Sequence, residues 1–289
     1  MFSYEKLDSN NSEAFNTLLE ESNKENFYKL DFYRYYNNKS FISKYFIRKL
    51  VKLIIYENKY IGYIWYDFTN SKSYRINDMY FKKEYLYLLN NNCLKIFTNN
   101  VFIYEIFENV YTLSLLKKLN MNKYKNSLLM KLNYDKNINR NLTTNGIIIP
   151  YKKKKDVKIR CFIQNSVFRD NNRIPLTTAD IEFDENQDYF IDDLCLFISV
   201  DNKVIGYGQI IYNKGIYTVV NLGIIKKYRG KGYGRDLLNA LIILAERKGI
   251  RDLFIRVELN NHKAERLYES CGFNEVGYIS NWIWTRTNY

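Results

Sequence analysis

Residues 219–245 read VVNLGIIKKYRGKGYGRDLLNALIILA, and this stretch decides how the chain folds. A β-branched apolar run, strand-like, ends near Ile225, and a helical apolar pattern follows from about Leu237. Between them Gly230, Gly232 and Gly234 alternate with Lys231, Tyr233 and Arg235. Glycine lets the backbone take unusual dihedrals and approach a ligand closely. The first N–H groups of a helix have no partner inside it, and its dipole favours negative charge there. With Arg229, Lys231 and Arg235 adding positive charge, the turn is built to cradle phosphate. Neither a G-x-G-x-x-G dinucleotide fingerprint nor a phosphate loop ending Gly-Lys-Ser/Thr is present.

Reading outward, Asp156 is placed to cap a helix with Ile159, Phe162, Ile163 and Val167 on its apolar face. Strands follow at about 194–200, 204–212 and 216–225, joined by turns at Asp201-Asn202 and Asn213-Lys214-Gly215. The helix after the glycine turn ends in Arg247, Lys248 and Gly249, as helices prefer. A strand over 253–259, a helix over 262–271 and an apolar segment over 273–284 close the chain. This order implies a mixed sheet covered by helices.

The first half repeats the second. YENKYIGY (56–63) parallels VDNKVIGY (200–207), and VFIYEIFEN (101–109) parallels LFIRVELNN (253–261). Residues 109–121 and 261–273 then share their apolar spacing. The polar, aperiodic segment 135–146 suits a linker, which gives domains over 1–140 and 146–289. The first half has lost the glycine turn. Gly62 is its only glycine, and KKEYLYLLNNN stands where the cradle would be.

A chain of 289 residues with 46% hydrophobic side chains can bury two cores. No run of about 18 apolar residues predicts a membrane span, and the polar start does not read as a secretory signal. Cys93, Cys161, Cys195 and Cys271 are scattered without metal spacing, which suggests reduced thiols in a cytoplasmic protein. The formal charge of +13 is diffuse. Residues 1–140 carry 22 basic against 14 acidic side chains, and residues 141–289 carry 22 against 17. It accompanies an excess of Asn, Ile and Tyr and reads as compositional bias rather than a nucleic-acid footprint.

The glycine turn resembles the R/Q-x-x-G-x-G/A signature of the GNAT acetyltransferase superfamily, here Arg229-Gly230-Lys231-Gly232-Tyr233-Gly234. A second motif of that family, N-x-x-A-x-x-L-Y-x-x-x-G-F, is filled by Asn261, Ala264, Leu267, Tyr268, Gly272 and Phe273. The resemblance implies an α/β fold of two tandem GNAT-like domains, each a mixed, mostly antiparallel sheet flanked by helices. The first domain is degenerate, a layout shared with mycothiol synthase.

It further implies an N-acyltransferase that moves acetyl from acetyl-CoA to a primary amine by direct attack in a ternary complex. The amides of Gly230, Lys231, Gly232, Tyr233, Gly234 and Arg235 would hold the pyrophosphate, beside Arg229. Leu222, Gly223 and Ile224 would receive the pantetheine arm, and the Leu222 N–H would stabilise the oxyanion. Asn261 would touch the pantetheine, and Tyr268 would protonate the thiolate. Thr218 stands where many relatives carry a glutamate base, and Asp192 and Asp193 are substitutes to consider. His262 falls at a position the motif leaves free. A peptide N-terminus as acceptor, and a coenzyme A-binding regulator without turnover, remain alternatives. The protein would be a monomer or homodimer.

Overall fold

The computed structural model describes residues 2–70, 73–94, 101–135, 138–169 and 173–286. In chain order the elements begin with β1 (Ser3–Lys6), α1 (Ser12–Glu25), α2 (Phe32–Asn37), α3 (Phe41–Lys49), β2 (Val51–Tyr56), β3 (Lys59–Asn70) and β4 (Ser73–Phe81). There follow β5 (Val101–Phe107), α4 (Val110–Lys118), β6 (Asn122–Leu132), β7 (Ile147–Pro150), α5 (Val157–Val167) and α6 (Thr178–Glu185). The chain continues through β8 (Cys195–Val200), β9 (Lys203–Asn213), β10 (Ile216–Ile224), α7 (Tyr233–Arg247), β11 (Leu253–Glu258), α8 (His262–Ser270) and β12 (Phe273–Thr285).

Local chemistry fixes the same frame twice. The turn before β3 has Glu57 and Asn58 at φ 49° and 60°, and the turn before β9 has Asp201 and Asn202 at 48° and 59°. Two consecutive left-handed residues make the tight turn whose twist matches flanking antiparallel strands, and Asn and Asp tolerate it best. Gly62 then faces Phe81 across the ladder, as Gly206 faces Ile224. Asn109 and Asn261 each cap the next helix, accepting from the N–H of Thr112 (2.8 Å) and Ala264 (3.3 Å).

The chain forms two compact units, Met1–Ser127 with Gly277–Tyr289, and Leu128–Val276. The first unit's strands run in the order β1-β2-β3-β4-β5-β12. Residues 279–285 of β12 lie antiparallel to Val101–Phe107, which brings Trp282 and Trp284 into that unit's core. In the second unit the order is β6-β11-β10-β9-β8-β7, with residues 128–132 of β6 beside β11. The units therefore differ from the halves 1–140 and 146–289 of the sequence: the end of β6, residues 128–132, lies in the second unit, and residues 277–285 of β12 lie in the first. Repeated strands have equivalent edges to pair with, so such an exchange needs little new chemistry. Lys136 and Asn137 of the expected linker lie outside the described residues.

One helix face departs from the sequence reading. In α5, Phe162 is 65% exposed and Ile159 is exposed too, whereas Arg160 is 1% exposed. Arg160 pairs with Asp184, and its guanidinium lies 5.1, 5.2 and 5.7 Å from the ring centres of Tyr207, Phe190 and Tyr151. A partnered, ring-stacked guanidinium can be buried where apolar periodicity expects solvent.

Candidate functional site

The site begins where two parallel strands stop pairing. β10 and β11 match only at Tyr217–Thr218–Val219 against Leu253–Phe254–Ile255. Beyond this, β10 carries an extra residue relative to β9: Val220 faces Gln209 but Gly223 faces Tyr207. Asn221 takes a φ of 54° in that bulge. Bulges re-aim a strand and interrupt its ladder. Between the strands lies a cleft of about 420 Å³, with Asn221 and Leu222 on one wall and Arg256 and Glu258 on the other. Phe168, Arg173, Asn261 and Tyr268 are also among its lining residues.

At the end of β10 the chain turns through Arg229 into α7. Gly230 (φ 77°) and Gly232 (φ 91°) take the left-handed dihedrals of that turn, and Gly232 is the N-cap of α7. The amides of Arg235 and Asp236 return to the Gly232 carbonyl at 3.0 and 3.1 Å. The Arg235 amide is thus engaged within the chain, unlike the expectation for it. Arg229 also does more than add charge. Its Nε donates to the Ile224 carbonyl (2.7 Å) and its Nη2 to the Val167 carbonyl (2.8 Å), tying the turn to the ends of β10 and α5. Lys231 is exposed beside the turn.

Tyr268, on α8, is 8% exposed and borders the cleft. Burial, with a smaller contribution from Cys271, pushes its phenol up to about 12, so the hydroxyl keeps its proton across the neutral range. Asn261 caps the same helix. His262 is exposed and sits 3.1 Å from Glu265, away from the cleft lining. Thr218 lies in the paired part of β10 and is buried. Asp192 and Asp193 pair with Lys153 (3.4 Å) and Lys248 (2.7 Å) and do not line the cleft.

A residue the sequence reading passed over anchors the start of α7. Asp236, fully buried in the first turn of α7, accepts from the amides and hydroxyls of both Thr143 and Thr144, at 2.6–3.0 Å. Burial alone would raise this carboxyl, but the donations from Thr144 and Thr143 outweigh it and hold it below the usual range. Tyr233 adds a bond to Asn145 (2.7 Å). The Thr143–Thr144–Asn145 run looked like linker because its partner lies about 90 residues away.

In the first unit the corresponding strands are satisfied by their own side chains. Among the described residues, β4 and β5 pair from Ser73 to Ile76. Past that point the Tyr111 hydroxyl accepts from the Phe81 amide (2.9 Å) and donates to the Phe81 carbonyl (2.8 Å). Asp78, fully buried, takes Lys29 (2.9 Å), Ser22 (3.2 Å) and Tyr63. Among the described residues between β4 and β5, two short 3₁₀ turns, Lys83–Leu88 and Asn91–Leu94, follow β4, and the segment has no glycine.

Residues 165–273 match the acetyltransferase (GNAT) family model. Over 84 residues the chain is 36% identical to a [ribosomal protein bS18]-alanine N-acetyltransferase of Haemophilus influenzae, covering 28% of this chain and 56% of that protein. The Escherichia coli K12 protein of that name is 38% identical over 65 residues, 22% of this chain and 44% of its own length. The chain thus spans about half the length of these relatives. In fold, it is similar along its whole length to a GCN5-related N-acetyltransferase from Sphaerobacter thermophilus (TM-score 0.67, 13% identity, 97% of that chain). A tandem GNAT protein from the clavulanic acid biosynthesis pathway is similar over 100% of both chains (TM-score 0.64, 8% identity). The glycine turn, the bulged strand and the opened pair of strands all fall in the segment that matches the GNAT acetyltransferase family.

Proposed function

We propose that the second unit transfers an acetyl group from acetyl-CoA to a primary amine. The observation that carries this reading is the opened β10–β11 pair, with a bulged strand on one side, Tyr268 at its border and the glycine turn at its end. The residues fit the coenzyme. Amides from Gly230 to Gly234 and the α7 dipole suit its pyrophosphate, with Lys231 beside them. Leu222, Gly223 and Ile224 offer a strand edge to the amide-bearing pantetheine arm, and Asn261 lines the same cleft as Leu222.

In the transfer the amine nitrogen attacks the thioester carbon, a C–N bond forms and the C–S bond breaks. The Leu222 N–H is the donor assigned to the developing oxyanion. Tyr268 donates toward the departing sulfur. A phenol near 12 is a weaker acid than a thiol near 8.5, so complete transfer requires a proton to reach the phenol in the same event. The proton lost by the amine is available for this. Neutralising a lysine amine near pH 7.4 costs roughly 4 kcal/mol and an α-amine about 0.5. Since Thr218 supplies no carboxylate, weakly basic amines are the easier acceptors.

Calorimetry with acetyl-CoA and thiol release across an amine panel test the reading together. Binding with amine-dependent release is expected. Binding without release from any amine would favour a coenzyme-sensing role, and no binding would end both.

A further inference from the structure

In the first unit, α3 turns its apolar side to solvent. Its buried residue is Ile47, while Phe41 is 85% and Ile42 70% exposed, and Tyr45 and Phe46 are exposed beside them. A surface helix ordinarily does the reverse, with the apolar stripe inward and the charges in water. Phe41 and Tyr45 stand four residues apart, as do Ile42 and Phe46, so the four form one stripe along about two turns. Single exposed apolar side chains are ordinary, whereas a contiguous group rimmed by charge marks a contact surface.

That rim has one sign. From Phe32 to Tyr56 the sequence carries Arg34, Lys39, Lys44, Arg48, Lys49 and Lys52 and no acidic residue. The Lys49 ammonium lies 4.0 Å from the ring centre of Tyr45 and 5.9 Å from that of Phe46. A hydrogen bond with Lys49, and then the charges of Lys49, Lys6 and Arg48, lower the Tyr45 phenol. Lys6 in turn stands directly opposite Lys52 in the antiparallel β1–β2 ladder, where like charges destabilise the pair. Burial, and then Lys6, lowers the half-buried Lys52 ammonium. The acids nearest Lys6 in sequence are engaged elsewhere. Glu5 accepts from Tyr60 and Asn11, and Asp8 accepts from the amides of Asn10 and Asn11. Strand pairing thus holds two cations together beside a helix that adds more, and an external anion relieves the repulsion.

The kind of cation selects the occupant. Protein contacts are enriched in arginine and depleted in lysine, but around this stripe Lys6, Lys44, Lys49 and Lys52 outnumber Arg48. Lysine stems that carry ammonium groups past aromatic rings suit a bilayer, where apolar and phosphate layers lie side by side. We propose that α3 docks the protein on an anionic phospholipid surface, its Phe41–Phe46 stripe entering the headgroup–acyl boundary and the surrounding lysines meeting lipid phosphates. The contact is peripheral, since no helix among the described residues is long and apolar enough to cross a membrane. It is independent of the acyl-transfer reading of the second unit.

The test is cosedimentation of the full chain with vesicles of phosphatidylcholine alone or of an equal mixture with phosphatidylglycerol. Affinity for the mixed vesicles should be about tenfold higher or more, and should fall as salt is raised. Phe41→Ser combined with Phe46→Ser should weaken it by about tenfold or more with the thermal midpoint unchanged, because both rings are exposed. Lys49→Gln should cost about fivefold, and Lys49→Arg should restore the affinity. The native tryptophans are buried, so Phe41→Trp gives a surface fluorophore whose emission should move to the blue on mixed vesicles alone. Equal binding to both vesicles, undiminished binding in the double serine variant, or no blue shift in Phe41→Trp would overturn the proposal. Saturable binding of polyglutamate or an RNA oligonucleotide, with none to the mixed vesicles, would overturn it too and assign the surface to a protein or a nucleic acid.

Discussion

Tyr268 combines burial with a place at the border of the cleft, and those two facts set opposite limits on its chemistry. Its phenol, pushed up to about 12, is reliably protonated but reluctant to part with the proton. Tyr268→Phe removes one hydroxyl and almost no volume, so stability and acetyl-CoA affinity should hold. Turnover should fall by about 10²-fold, the lower end of the range for a general acid. The loss should appear in kcat more than in KM, because the interaction grows as sulfur departs. Unchanged turnover, measured where chemistry limits the rate, would reduce Tyr268 to a packing residue. The position was legible from its motif; the shifted phenol was not, because burial is a property of the folded neighbourhood. Asp236 was illegible for a related reason. An acid in the first turn of a helix is ordinary in sequence, and nothing local shows that Thr143 and Thr144 come to meet it.

At the scale of elements, the glycine turn and α7 form one device held from two sides. Arg229 ties the turn to Ile224 and Val167, and Asp236 ties the helix start to Thr143 and Thr144. The two left-handed glycines differ in what surrounds them. A Cβ at Gly230 meets nothing within 4 Å, whereas one at Gly232 meets the Thr144 methyl at 2.9 Å. Gly230→Ala should therefore carry only the left-handed strain of about 1–2 kcal/mol. Gly232→Ala should add a clash with the segment that Asp236 anchors, and lose more acetyl-CoA affinity by calorimetry. Equal losses would mean that the Thr143–Thr144 segment does not support the turn. The Asp236 carboxyl also gives a pH signature. Its folded pKa is depressed, so its contribution is present above the unfolded value of about 3.9 and disappears as pH falls through the lower folded value. Urea midpoints from pH 5 downward should fall in wild type and fall less steeply in Asp236→Asn. Turn chemistry made the hairpin at Asp201-Asn202 readable in advance, and the repeat of 200–207 in 56–63 carried it to Glu57-Asn58. The buried face of α5 was not, since Arg160 owes its place to Asp184 and three rings contributed by other elements.

At the scale of the whole chain, the repeat predicted two similar frames but not which copy's last strand completes which unit. Edge pairing depends on backbone groups that every strand presents alike, so apolar pattern alone does not distinguish β6 from β12. The basic surplus is spread along the sequence, and duplex DNA at about 0.15 M salt should show no saturable complex. A truncation after Val276 tests the strand exchange directly. It removes residues 279–285 from their ladder with β5 and takes Trp282 and Trp284 out of the first unit's core. Losing one buried tryptophan side chain costs about 3–5 kcal/mol, and two such losses approach the entire stability of an ordinary domain. The first unit should then lose hydrogen-exchange protection in β5 and β4. Residues 128–276 contain the cleft and the glycine turn and keep residues 128–132 of β6 beside β11. Acetyl-CoA binding should consequently survive the truncation that unravels the first unit. A fragment of residues 1–140 would meet the same fate as that unit, because its last strand lies at the other end of the chain. Full protection of β5 in the truncated protein would show that β12 is dispensable there, and each sequence half would then be its own folding unit.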